Sequence, residues 1–376
     1  MVLSLAATCA CGVWLYLLLG RGGFWRMADR APGPTPKPPA RTPAVVAVIP
    51  ARNEVDTVPR SIASLARQEY PGPFHVVLVD DASTDGTAAA AGSAASTDVL
   101  SVVPGAPLPC GWTGKLWAVA QGVDRASRFA PDYLLLTDAD ICHPPHGLRA
   151  LVAQAEQGRY DLVSWMVTLH CETWAERALV PAFVFFFFML YPPAWIRSER
   201  SRTAGAAGGC ILIRRRMLEQ IGGIGRIRGE LIDDCALASA VKQAGGRVWL
   251  GLGGDAHSIR VYGTAGEIFR MIARTAFTQL RYSLWLLLGT IAALALTYIV
   301  PPAAALAGSG AGIAAWVLMI VAYLPVLCFY RRSVLWAPLL PLLAAFYLAA
   351  TIHSALAYWR GNGGMWKGRA QAVAQR

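Results

Sequence analysis

Charge is scarce in this sequence: Asp, Glu, Lys and Arg supply 15% of its 376 residues, against 55% hydrophobic residues and a mean hydropathy of +0.42. Among the eight cysteines there is no Cys-x-x-Cys pair and no zinc-type spacing, which disfavours a structural zinc site and a disulfide framework. Cys9 and Cys11 lie in an apolar run and read as buried, reduced thiols. No Gly-x-Gly-x-x-Gly or Walker loop follows the first strand-like run, so dinucleotide and P-loop phosphate binding are disfavoured. No basic side chain precedes the first apolar segment, whereas a cleaved signal peptide carries its charges in front. The basic excess, 34 Lys and Arg against 23 Asp and Glu, is scattered among apolar blocks. That scatter speaks against nucleic acid and for the flanks of membrane helices or contact with anionic lipid and phosphate groups.

What remains is long enough for one sizeable domain plus membrane segments. Residues 1–20 read as an N-terminal transmembrane anchor, since about 20 helical residues match the hydrocarbon thickness of a bilayer. Arg21, Arg26 and Arg30 follow it, placing the N-terminus outside and the next segment in the cytoplasm. Residues 21–43 form a linker stiffened by six prolines between Ala31 and Pro43.

An α/β pattern then begins. Ala44–Ile49, His75–Val79, Val99–Val103 and Tyr133–Thr137 read as strands, with helical spacing over Glu54–Gln68 and Gly114–Ser127. Alternation of this kind implies right-handed βαβ units and a parallel sheet. The run Leu134-Leu135-Leu136-Thr137 leads directly into Asp138-Ala139-Asp140. Ligands gather beyond the carboxyl ends of parallel strands, and two carboxylates there suit a hard divalent cation, Mg²⁺ or Mn²⁺. An isolated Asp-x-Asp also reads as two solvated acids in a turn. His143 lies within reach of the same cation, but Pro144-Pro145 reads as a helix start that turns it outward. A second acidic pair, Asp233-Asp234, opens a helix that Gly245-Gly246 stops. That position equally suits a plain N-cap.

Taken in order, Val48-Ile49-Pro50-Ala51-Arg52-Asn53-Glu54, Val79–Thr87 and Thr137–Asp140 resemble the inverting family 2 glycosyltransferases of GT-A fold over residues 44–283. Gly111–Lys115, Gly208-Gly209-Cys210, Ile232-Asp233-Asp234 and Arg274–Ser283 are similar to the hopene-associated glycosyltransferases encoded with bacterial hopanoid genes. Ceramide glucosyltransferases share the same plan more distantly.

The resemblance implies a Rossmann-like α/β domain that takes a nucleotide-sugar donor, a UDP-sugar first of all, and a lipid acceptor. It implies that Pro50, Ala51 and Glu54 line the nucleotide pocket and that Asp81 accepts from the base. Lys115 and Arg281 would serve the donor diphosphate, Tyr282 would offer a stacking face, and Asp138 and Asp140 would hold the cation. Asp234 would be the catalytic base, assisted by Asp233. The turn Asp80–Thr87 also reads, by itself, as a loop that caps the next helix. The family's late Gln-x-x-Arg-Trp motif is partly met: Thr278 stands at its first position, Tyr282 at its last, and Gln279 is one residue out of register. That departure weighs against processive polymer synthesis.

Residues 178–196 are long and apolar enough to span, yet a single crossing there would separate the two acidic pairs. The segment therefore reads as interfacial or re-entrant, broken by Pro181, Pro192 and Pro193, and suited to admitting a lipid. Residues 284–358 read as a membrane domain of about three helices, and 359–376 as a basic tail. Four spans in all would leave Arg360, Lys367, Arg369 and Arg376 outside, against the positive-inside tendency. A miscounted span or a re-entrant final stretch would remove that conflict. The expectation is a multi-pass bacterial inner-membrane transferase with its catalytic domain in the cytoplasm. Transfer to polyprenyl phosphate, diacylglycerol or a polysaccharide, and a non-catalytic nucleotide-binding scaffold, stay open as alternatives.

Overall fold

A computed structural model describes residues 2–33, 42–366 and 369–372. The centre of the Pro-rich linker, 34–41, and parts of the basic tail lie outside the described residues. Two compact units are formed, one from Ala28–His170 with Trp195–Arg260, the other from Met1–Met27, Cys171–Ala194 and Val261–Arg376.

The first unit is built on an eight-stranded sheet: β1 (Val45–Ala51), β2 (Phe74–Asp80), β3 (Leu100–Pro104), β4 (Tyr133–Thr137), β5 (Ile141–Cys142), β6 (Leu162–Thr168), β7 (Cys210–Arg214) and β8 (Val248–Ser258). Their spatial order is β3-β2-β1-β4-β7-β6-β8-β5. The first four are parallel, β7 runs antiparallel to β4 and β6, and β6 pairs parallel with β8. Every residue of β1 and β4 is buried, as continuous apolar runs covered on both faces should be. The helix Gly114–Ala126 lies close on β1, where a Cβ on Gly122 would stand 2.4 Å from Val48 Cγ1. Only glycine admits that approach.

This sheet positions the acidic motif. β4 ends at Thr137, so Asp138 and Asp140 leave from its carboxyl end. Pairing of Thr137 with Cys210 sets Gly208 and Gly209 beside them, and Thr137 Oγ1 donates to the Gly209 carbonyl at 2.8 Å.

The second unit is helical. Among the described residues, five segments are long and apolar enough to cross a membrane: Val2–Leu19, Trp174–Arg197, Leu284–Leu306, Gly310–Phe329 and Val334–Trp359. The helix Trp174–Leu190 is capped by Thr173, and Glu176, fully buried, accepts from the backbone of Glu172, Thr173 and Tyr262 at 2.9, 2.9 and 2.7 Å. Contrary to the sequence reading, Pro181 does not interrupt this helix. Residues 171–194 and 261–283, inside the 44–283 span read from sequence, group with the helical unit. All eight cysteines are free thiols, and Cys9 is exposed rather than buried.

Candidate active site

The loops beyond β1 and β2 are tied to each other by side chains. Asn53 N–H donates to Ser83 Oγ at 3.0 Å, Thr84 N–H to Asn53 Oδ1 at 2.9 Å, and Val55 N–H to Asp85 Oδ2 at 3.0 Å. Asp85 also accepts from the Thr87 N–H at 3.0 Å, so the turn-forming reading of this stretch holds. Asp81 is buried, its N–H donates to the Ala51 carbonyl at 2.8 Å, and its carboxylate lies 3.6 Å from Arg52 Nη1. Arg52 also donates to the Asp81 carbonyl.

A cleft opens at the end of β4, lined by Pro50, Lys115, Asp138, Gly208, Asp233 and Asp234 over an apolar floor. The two acidic pairs, far apart along the chain, thus share one cavity. Lys115 links them: its ammonium lies 3.0 Å from Asp138 Oδ1 and 3.1 Å from Asp233 Oδ2. Burial pulls this ammonium's pKa down, but Asp138 and Asp233 outweigh it and the net shift is upward. Asp233 and Asp234 open the helix Asp233–Gln243, where the helix dipole favours negative charge. The side chain of Asp234 faces Gly208, on which a Cβ would stand 3.3 Å from Asp234 Oδ2 and 3.4 Å from Lys115 Nζ. Burial and the neighbouring Asp233 push the Asp234 carboxyl up to about 6, with Lys115 pulling the other way. Burial also raises Asp138, opposed by Lys115.

Asp140 has a different partner. Arg260 Nε donates to Asp140 Oδ2 at 2.7 Å and Arg260 Nη2 to Glu54 Oε1 at 2.5 Å, so one guanidinium joins a metal candidate to a nucleotide-pocket candidate. Ser258 Oγ approaches the same Asp140 oxygen at 3.4 Å. Sequence reading missed Arg260 altogether, because nothing near it in the chain marks it out. His143 is corrected: it is buried, not turned outward, with Nε2 at 3.0 Å from Thr137 Oγ1. Burial, and then His257, lower its pKa to about 4. Arg281 and Tyr282 belong to the helical unit, where Tyr282 stacks on Tyr358 at 4.3 Å.

The donor set decides whether a divalent cation fits. Asp138 and Asp140 offer hard oxygens, each with one already facing a protein cation. Among the described residues, no three His, Cys, Asp or Glu side chains are gathered as a metal cage. The residues fit a cation that takes one or two carboxylates and fills its other places with phosphate and water oxygens.

Gly208→Ala tests how tightly the cavity is built. The added methyl is expected to displace Asp234 and Lys115 by a few tenths of an ångström. Melting temperature should stay within a few degrees while turnover falls at least about tenfold, since small misplacements of reacting groups are costly. Unchanged turnover would show that this backbone approach is not needed.

Comparison with known proteins agrees with the geometry. Residues 46–222 match the family model described as glycosyl transferase family 2. Over 136 residues the chain is 29% identical to the undecaprenyl-phosphate 4-deoxy-4-formamido-L-arabinose transferase of Serratia proteamaculans, covering 36% of this chain and 40% of that protein. The transferase of the same name from Yersinia enterocolitica is 33% identical over 118 residues, or 31% and 34% of the two chains. The chain therefore spans less than half the length of these relatives. A mannosyltransferase from Pyrobaculum calidifontis, solved in complex with GDP-Man and Mn²⁺, superposes with a TM-score of 0.59 at 22% identity, over 94% of this chain and 99% of that one. The fold is GT-A.

Proposed function

We propose that this protein transfers a sugar from a nucleotide-sugar donor to a membrane lipid, with inversion at the anomeric carbon. One observation carries the reading: Asp138, Asp233 and Asp234 line a single cavity around Lys115 at the end of β4. In this reading Pro50, Ala51, Glu54 and Asp81 receive the nucleotide, Asp81 as acceptor for the base, Lys115 and Arg281 serve the diphosphate, and Tyr282 offers a stacking face. Asp234 takes the proton of the acceptor hydroxyl, whose oxygen attacks the anomeric carbon as the bond to the diphosphate breaks. Asp233 holds Lys115 and raises the basicity of Asp234. A hard divalent cation, Mg²⁺ or Mn²⁺, held by Asp138 and Asp140 would neutralise the departing diphosphate.

Two acceptors come into question. The motifs shared with hopene-associated enzymes favour a hopanoid hydroxyl, and the names of the curated relatives favour polyprenyl phosphate. Chemistry separates them. A hydroxyl needs a base, whereas a phosphate monoester is already ionised and would be repelled by Asp233 and Asp234. The acid-rich cavity supports the hydroxyl. Helices long and apolar enough to cross a membrane, together with the basic excess, support a location in a bacterial inner membrane with the catalytic domain in the cytoplasm.

The purified protein, given labelled UDP- and GDP-sugars with hydroxylated lipids and with polyprenyl phosphate, is expected to glycosylate the hydroxylated class. The anomeric configuration of the product, read by NMR, should be opposite to that of the donor. Failure with every pair would leave a nucleotide-binding scaffold as the better reading. Chelation, and separately Asp140→Ala, should each weaken donor binding by about 10- to 100-fold in calorimetric titrations. Affinity indifferent to both would remove the cation from the scheme.

A further inference from the structure

The last long apolar segment, Val334–Trp359, has the length and composition of a membrane crossing. Contacts inside the helical unit give it another course. The helical segment Leu284–Leu306 and the helix Gly310–Phe329 form a tight hairpin. Ser309 N–H donates to the Ala304 carbonyl at 2.9 Å, and a Cβ on Gly312 would stand 2.6 Å from Ala305 N. Two successive crossings joined this way leave their open ends, Ser283 and Tyr330, on one face.

Residues 334–359 begin at the second of those ends, directly after Arg331-Arg332. They finish at the first. Phe277 N–H donates to Ser354 Oγ at 3.1 Å, and the Phe277 ring lies 5.6 Å from Tyr358 and 5.5 Å from Trp359. Ala355 is buried in a cluster with Phe277 and Leu287 at the start of the first crossing. A helix that crossed would instead end beside the Gly308–Gly310 tip.

We infer that Val334–Trp359 is a re-entrant element: it dips into the bilayer and returns, and Arg360 emerges on the face that carries Arg331 and Arg332. The turning point has a physical basis. Residues Val334–Leu339 form a 3₁₀ helix containing Pro338, and Pro341 follows within the next turn. Irregular backbone at membrane depth is tolerated only where protein buries it. Here Ala337 is fully buried and the Trp316 indole donates to the Pro338 carbonyl at 3.3 Å. Along the returning limb, Tyr347 Oη donates to the Leu179 carbonyl at 2.8 Å, and Phe269 packs on Phe346 and His353 at 5.5 and 5.4 Å. The dipping helix thus rests against Trp174–Leu190 and Ala265–Ala273, which read as a platform of non-crossing helices. Three crossings remain, and the basic residues flanking them gather on one face, as the positive-inside tendency asks. The clash that four crossings created at Arg360 disappears. None of this depends on the transferase reading.

The full chain expressed in a bacterium with a C-terminal reporter provides the test. A fluorescent protein should fluoresce and alkaline phosphatase should be inactive; active phosphatase with a dark fluorescent fusion would overturn the inference. A second measurement guards against disturbed fusions. In a background where Cys9, Cys110 and Cys328 are serine, Arg360→Cys and Ala307→Cys are treated with a membrane-impermeant maleimide. Ala307→Cys, at the hairpin tip, should label in intact spheroplasts, and Arg360→Cys only after permeabilisation. Labelling of both in intact spheroplasts would overturn the three-crossing topology.

Discussion

Asp234→Asn is expected to lower the turnover of a hydroxyl acceptor by about 10²- to 10⁴-fold, the usual contribution of a general base. Nucleotide affinity should hardly move, because Asp234 contacts Gly208 and Cys235 while the nucleotide loops follow β1 and β2. The pH profile supplies an independent check. The Asp234 carboxyl is raised to about 6 by burial and by Asp233. A base works only when deprotonated, so the rate is full above that pH and falls about tenfold per unit below it. Initial rates between about pH 4.5 and 8 should show this acid limb in the parent enzyme. With a polyprenyl phosphate acceptor the same substitution should cost little, since no proton has to leave. Turnover of a hydroxyl acceptor by the Asn variant, with an unchanged profile, would take Asp234 out of the chemistry.

The second large effect is expected at Lys115. Lys115→Met leaves Asp138, Asp233 and Asp234 gathered without the ammonium that joins them. Breaking a fully buried pair costs about 3–5 kcal/mol, and exposed pairs contribute under about 1 kcal/mol. The Lys115, Asp138 and Asp233 side chains are 22%, 37% and 23% exposed, which puts the expected loss between those limits, at about 1–3 kcal/mol. Because Lys115 pulls the Asp234 carboxyl down, its removal should carry the acid limb above pH 6. Lys115→Arg keeps the charge and should restore stability more fully than turnover. Thermal unfolding in detergent and the pH–rate profile measure the two effects separately. A variant with neither a lower melting temperature nor a shifted limb would show that Lys115 is not the internal counter-ion described here.

Much of this site is legible along the chain. The strand Tyr133–Thr137 is found at the residues its pattern predicts, because a run buried on both faces is apolar throughout. The acidic pair at residues 233–234 opens its helix as expected. Where reading and structure part, distant side chains are the cause. Helical spacing predicts a start at Glu54, but the helix begins at Val58 because Asn53 and Val55 are held by Ser83 and Asp85. Lys115 is legible as a phosphate-binding candidate but not as the link between Asp138 and Asp233. Arg260 is invisible in the sequence because Asp140, its partner, lies 120 residues away.

The sequence by itself determined the strands, the carboxylates at their ends and the apolar helices, since periodicity and hydropathy are properties of residues within a turn or two of each other. Tertiary structure alone decided which acid faces which cation, and which apolar segments pack against each other. Those outcomes depend on segments far apart in the chain meeting at a few ångströms, and close packing settles them where local composition is silent.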